Sequence, residues 1–133
     1  MARATGIGGV FFRAQNPEAL ADWYREALGL DIAEQGFSAF SWEADPKTDG
    51  GATIWAPFVA DTDYLAEGKQ WMVNFRVDDL EGVRERLRAA GAEVDAKVDE
   101  GELGSFGWAV DPEGNKIELW QPPVVGPDGP GAP

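Results

Sequence analysis

Two stretches of the chain alternate apolar with small or polar residues as half-buried strands do: residues 7–14, IGGVFFRA, and residues 71–77, WMVNFRV. A helical pattern follows each. After the first, Asn16 is placed to cap and Pro17 suits the first helical position, where its missing N–H costs nothing. Leu20, Tyr24 and Ala27 then recur at helical spacing until Gly29. After the second, Asp79 caps, Leu80, Val83 and Leu87 form the apolar stripe, and Gly91 ends it. Three shorter strand patterns succeed each helix, at about 30–35, 37–43 and 51–56, and again at about 92–98, 104–110 and 115–121. Asp111-Pro112-Glu113-Gly114 turns the chain between the last two, Pro setting φ and Gly permitting positive φ. Sliding the chain by 63 positions lays Val10, Phe12 and Arg13 on Val73, Phe75 and Arg76, a weak internal repeat. The prediction is an α+β fold with the order βαβββ twice.

Helices must cover one side of such sheets, so alternation also assigns faces. Val10, Phe12, Ile54, Val73, Phe75, Val77, Ile117 and Leu119 are expected under the helices. The opposite face then carries Gly9, Phe11, Arg13, Thr53, Trp55, Met72, Asn74, Arg76, Lys116, Glu118 and Trp120. Aromatics, arginines, an amide and a carboxylate on one face suit a lined cavity better than a dry core. Residues 122–133, PPVVGPDGPGAP, offer almost nothing to pack and read as a flexible tail, with a single domain over 1–121.

Composition removes several chemistries. Zero cysteines exclude disulfides and thiolate nucleophiles, and zero histidines exclude the commonest general base and metal ligand at neutral pH. A formal charge of −13 repels phosphate backbones and anionic lipid headgroups, so neither nucleic acid nor membrane is an expected partner. No apolar run has the length of a signal peptide or a membrane span, which predicts a soluble cytoplasmic protein. Attraction of a cationic ligand is the functional reading of the acidic balance; solubility is the plainer one.

Two phrases carry a family resemblance: Ala21-Asp22-Trp23-Tyr24-Arg25-Glu26-Ala27-Leu28-Gly29-Leu30 in the first helix, and Asp111-Pro112-Glu113-Gly114-Asn115-Lys116-Ile117-Glu118-Leu119 at the end. With the βαβββ repeat they resemble the vicinal oxygen chelate superfamily, which includes glyoxalase I, extradiol dioxygenases and bleomycin-resistance proteins. The resemblance covers about residues 5–121, with modules at about 5–57 and 70–121. It implies two cupped modules in a partly open, barrel-like mixed sheet with helices outside, and a homodimer. It also implies a divalent metal held by two side chains per module, one from the first strand and one from the last. By position those would be Gly9, about Trp55, Met72 and Glu118, of which only Glu118 can bind a hard or borderline cation. Glu43 or Asp61 could in principle join it around magnesium or calcium. The expectation is no metal and no cofactor.

What remains is a cleft. Trp42, Trp55, Trp71, Trp108 and Trp120 fall on or beside predicted strands, and indole faces suit stacking on a planar or cationic ligand, with Trp55 and Trp108 the first candidates. Several of them serve equally well as core or interface anchors. Glu118 has three readings: a hydrogen-bond acceptor for a ligand, a general base with its pKa raised by burial, or a structural ion pair with Arg13 or Arg76. Arg13 and Arg76 either bridge to acidic neighbours or clamp a ligand carboxylate or carbonyl bidentately. The glycine-rich run at 101–108 lacks the context of a phosphate loop and reads as a hairpin entrance. Segment 57–70, with Tyr64 foremost, either overhangs the cavity or is a solvated linker. The candidate ligand-binding set is therefore Phe11, Arg13, Trp55, Met72, Asn74, Arg76, Trp108 and Trp120, with Glu118 the candidate catalytic residue. The leading expectation is a metal-free binding protein for an amphipathic small molecule, neutral or cationic. The alternatives are a glyoxalase-like lyase or isomerase using Glu118 as acid/base, and an interaction or regulatory module that has lost its ligand.

Overall fold

The computed structural model describes residues 2–41 and 52–123, and the backbone of 125–126 and 129–130. Its elements are β1 (Ala4–Ala14), α1 (Pro17–Leu28), β2 (Ser38–Ser41), β3 (Ala52–Val59), β4 (Trp71–Val77), α2 (Leu80–Ala89), β5 (Glu93–Gly101), β6 (Gly104–Val110) and β7 (Lys116–Gln121), followed by the short pair β8 (Val125–Gly126) and β9 (Gly129–Pro130). The first seven strands form one mixed sheet in the order β2-β3-β1-β4-β7-β6-β5. Local chemistry explains where the helices begin and end. The Asn16 side chain accepts from Ala19 N–H at 3.0 Å with Pro17 at the first turn, Asp79 accepts from Gly82 N–H at 3.1 Å, and Gly29 closes α1 in the left-handed conformation at φ 70°. No helix among the described residues is long and apolar enough to cross a membrane.

One predicted strand is missing. Residues 30–35 form no strand, because the chain turns there: Gly36 N–H donates to Ala33 O at 2.9 Å, Ala33 N–H donates to Phe37 O at 2.8 Å, and Gly36 takes φ 94°. Those bonds occupy backbone groups that a ladder would need. Among the described residues the first module is therefore βαββ and the second βαβββ. Trp42 and Glu43 lie outside the described residues.

The sequence repeat marks the centre of the sheet. β1 and β4 pair antiparallel with Val10 opposite Val73, the two equivalent positions of the repeat, so a local two-fold passes between them. β3 then joins β1 in parallel, as β7 joins β4. On the α2 side Val77, Leu80, Val83 and Leu119 form the core, with Phe75, Leu87, Val98 and Ile117 packed against it, as alternation predicts. On the α1 side a chain of rings runs from Trp71 to Phe12 (5.1 Å between centroids), Trp55 (5.4 Å), Tyr24 (4.7 Å) and Trp23 (5.1 Å).

That chain of rings corrects one face assignment. Trp55 packs under α1, and Ile54 lies on the opposite face with Phe11. The pairing explains it. Asn74 stands beside Glu118, and Phe11, 63 residues earlier, stands beside Ala56. Ala56, not Trp55, is thus the first-module counterpart of Glu118; the modules are offset by 63 residues at their first strands and by 62 at their last. Thr53, facing with Trp55, belongs on the helix side for the same reason.

Candidate functional site

The face away from the helices carries one row of residues across five adjacent strands: Ile54, Gly9, Asn74, Glu118 and Trp108, each beside the next in register. Parallel and antiparallel neighbours in register point the same way, so the row gathers an amide, a carboxylate and an indole N–H at one level. Glu118 is 2% exposed. Asn74 Nδ2 donates to its Oε1 at 2.6 Å, and Trp108 Nε1 donates to its Oε2 at 2.9 Å. The third donor is Tyr64 Oη, which also bonds Oε2 and itself accepts from Trp108 Nε1 at 3.1 Å. Burial pushes the Glu118 carboxyl above the usual carboxylate range, and the hydrogen bonds from Tyr64, Asn74 and Trp108 oppose that shift only in part. Tyr64 is pushed up as well, first by burial and then by the adjacent Glu118 charge.

Tyr64 reaches Glu118 from the segment that joins the modules. This segment enters the face rather than spanning it as a solvated linker: Leu65 is 2% exposed and packs with Phe11 and Met72, against which Ile54, Ala56, Phe58 and Tyr64 also pack. Arg13 holds the segment in place. Its guanidinium donates to the carbonyls of Lys69 (2.8 Å), Ala60 (2.9 Å), Thr62 (2.7 Å), Leu65 (3.3 Å) and Ala66 (3.2 Å). One planar cation with five N–H donors thus supports the bend that delivers Tyr64. Both expectations for Arg13, a carboxylate bridge or a ligand clamp, give way to this role, because its five donors are already directed at the backbone.

The other sequence candidates separate accordingly. Asn74 and Trp108 join Glu118, while Phe11 and Met72 form the apolar floor beneath Leu65. Trp120 stacks on Phe106 (6.3 Å, 7° between planes) and donates from Nε1 to Leu103 O at 2.7 Å. Arg76 is buried, and its carbonyl accepts from Thr5 Oγ1 at 3.4 Å. Trp55 is on the other face. A hollow of about 270 Å³ remains beside Trp108, lined among others by Ala66, Glu93, Asp95 and Lys116.

Two glycines that sequence reasoning did not single out as a pair make the arrangement possible. The β1–β4 register slips between Ile7 and Gly9, and at this irregularity a Cβ on Gly8 would overlap Asn74 Oδ1 and meet Trp120 Cε3 at 3.0 Å. A Cβ on Gly9 would meet Ile54 O at 2.9 Å. Two consecutive glycines in a strand pattern are the signal that points to them. Gly8→Ala is expected to push the Asn74 amide off Glu118 and to lower stability by about 1–3 kcal/mol. Thermal unfolding measures the loss, and an unchanged midpoint would show that the amide has room to move.

The residues do not fit the divalent ion implied by the superfamily. At the four corresponding positions stand Gly9, Ala56, Met72 and Glu118, and a thioether beside a single carboxylate is a poor set for a hard or borderline cation. Both Glu118 oxygens, moreover, face N–H donors whose hydrogens would repel a metal. Asp61 is exposed and lines a different surface cleft, with Asp63 and Glu67. Among the described residues no three carboxylates cluster closely enough to hold an ion.

Comparison with known proteins agrees with this architecture. Solved structures of similar fold include methylmalonyl-CoA epimerase from Mycobacterium tuberculosis, with 22% identity, a TM-score of 0.58, and 90% of this chain and 89% of that one covered. A variant methylmalonyl-CoA epimerase from Streptomyces coelicolor, in complex with 2-nitronate-propionyl-CoA, has 17% identity and a TM-score of 0.66, covering 90% and 99%. The Mn(II)-bound glyoxalase from Novosphingobium aromaticivorans has 16% identity and a TM-score of 0.62, covering 91% of this chain but 40% of its own. At these identities the likeness concerns the fold alone. No curated protein sequence matches the chain. The family model described as glyoxalase-like domain matches residues 9–120, which span both modules and the whole Glu118 row. The chain therefore belongs to the glyoxalase-like domain family of the vicinal oxygen chelate superfamily.

Proposed function

We propose that this domain is a metal-free small-molecule binding protein, in which an amphipathic ligand reaches Glu118 and Trp108 by displacing Tyr64 and Leu65. The supporting observation is the unequal anchoring of the three donors to Glu118. Asn74 and Trp108 come from strands that are paired on both sides within the sheet, whereas Tyr64 comes from an irregular segment. A buried carboxylate contributes little net stability compared with an apolar residue of its volume, so its presence here is better explained by a partner that it recognises. The ligand would leave Asn74 and Trp108 in place and supply a donor, or a positive charge, where the phenol now sits. Exposed Trp23, Phe40 and Trp71 support a homodimer as part of the same proposal.

A second reading is favoured by the raised Glu118 pKa: a carboxylate nearer neutrality is a better general base for a lyase or isomerase reaction. Titration with a panel of amphipathic amines and neutral compounds, followed by tryptophan fluorescence with and without a chelator, tests the first reading. Saturable one-to-one quenching, unaffected by chelator and without turnover, is the expected result. Affinity that tracks added Mn, Ni, Zn or Fe would overturn it. Turnover abolished by Glu118→Gln with affinity retained would establish the second reading instead.

A further inference from the structure

Tyr64 sits in surroundings more specific than an ordinary core aromatic requires. Its ring stacks on Phe58 with centroids 5.5 Å apart and 6° between planes. Trp108 meets it edge-on at 6.3 Å and 88°. Lys116 Nζ lies over the ring at 4.7 Å from its centroid. Its hydroxyl donates to Glu118 and accepts from Trp108. A flat ring with a stacking partner, an edge partner and a cation over it is held by its quadrupole as well as by its area. A hydroxyl that both donates to a carboxylate and accepts from an indole uses its full polarity.

We propose that the site takes a hydroxyaryl compound, a planar ring bearing a phenolic hydroxyl, and that Tyr64 is the protein's own occupant of that subsite. The proposal rests on the small-molecule reading given above and names its ligand class. An aliphatic cation would satisfy Glu118 but leave Phe58 without a stacking partner and set Lys116 against a like charge. An unsubstituted ring would fill the stack but leave Glu118 without its third donor. Only a ring with a hydroxyl meets every contact that Tyr64 now meets. Because Tyr64 is tethered, it competes at high effective concentration, so a bare phenol binds the wild-type protein saturably but weakly, and a ligand with further contacts binds more tightly. The hollow is lined by Trp108 and Lys116, which also contact the Tyr64 ring, so substituents making those further contacts would extend towards it.

The test uses p-cresol, the isolated tyrosine side chain, with toluene and benzylamine as controls. The indole N–H resonance of Trp108, assigned by its loss in Trp108→Phe, reports occupancy. In the wild-type protein p-cresol is expected to shift this resonance saturably, at least about tenfold more tightly than toluene or benzylamine, the factor one charge-assisted hydrogen bond supplies. Tyr64→Gly removes the tethered competitor and should bind p-cresol at least about tenfold more tightly than wild type. If that variant does not fold, the wild-type comparison of the three probes still decides. Benzylamine binding in preference to p-cresol, or p-cresol binding no better than toluene, would overturn the hydroxyaryl assignment while leaving a small-molecule site. No response of the wild-type resonance to any of the three, or to the wider panel, would overturn the small-molecule reading itself and mark Tyr64 as permanent core.

Discussion

Arg13→Ala is expected to release the 60–69 segment and to lower stability by about 3–4 kcal/mol, since five carbonyls lose their common donor and Tyr64 and Leu65 lose the bend that buries them. Some of those carbonyls can turn to water, which keeps the figure well below the sum of five bonds. Two measurements check it: the midpoint of thermal unfolding, and the rate of tryptic cleavage after Lys69. Arg13→Lys should recover only part of the loss, because an ammonium has three donors and cannot span carbonyls arranged around a planar fork. The lysine variant should also sharpen rather than weaken the fluorescence response to ligand if Tyr64 is a displaceable occupant. An Arg13→Ala protein as stable and as protease-resistant as wild type would show that the segment is seated without Arg13.

Glu118→Ala should be nearly as damaging, at about 3–5 kcal/mol, because Asn74 Nδ2, Trp108 Nε1 and Tyr64 Oη would be left buried without their acceptor. Glu118→Gln should behave differently. A Gln carbonyl can keep the bonds from Trp108 and Tyr64, and its amide N–H can face Asn74 once that side chain rotates and presents Oδ1, which has no hydrogen-bond partner among the described residues. Stability near neutral pH is then expected within about 1 kcal/mol of wild type.

The pH dependence separates the two proteins further. Burial raises the folded-state pKa of Glu118 above its unfolded value, so the native protein holds the proton to higher pH than the unfolded chain does. Between those two values the native state binds more protons, and stability falls as pH rises through the window. Below it Glu118 adds no slope. Unfolding measured from acid to neutral pH should show this decline in wild type and lose it in Glu118→Gln. An identical slope in both proteins would mean that Glu118 is not desolvated as described.

Asn74 and Glu118 are legible in the sequence alone, because each lies on a strand whose alternation assigns it to the face away from the helices, whereas Trp108 is legible only as an indole on a predicted strand with no face assigned. Tyr64 is legible only as an overhang. Nothing in PFVADTDYLAEGKQ states that a polar, acidic segment turns its Tyr-Leu pair inward, since that outcome depends on an arginine some 50 residues earlier. Trp55 is legible as an aromatic on a strand, yet alternation assigns it to the wrong face. A shift of one residue inverts a strand, and the one-residue difference between the modules falls in the connections, where no periodicity records it.

The sequence by itself determined the two helices with their caps, the repeat, the second module's strands and the absence of an imidazole or thiolate donor, because these depend on neighbours a few residues apart or on composition. Tertiary structure alone decided that β1 and β4 meet at their equivalent valines, that Ala56 stands where Trp55 was expected, and that Arg13 spends its donors on a loop which seats a phenol against Glu118. Those outcomes rest on pairing register and on contacts between distant segments. Both are fixed only when the whole sheet closes around its core, and a linear pattern of apolar and polar positions carries no record of them.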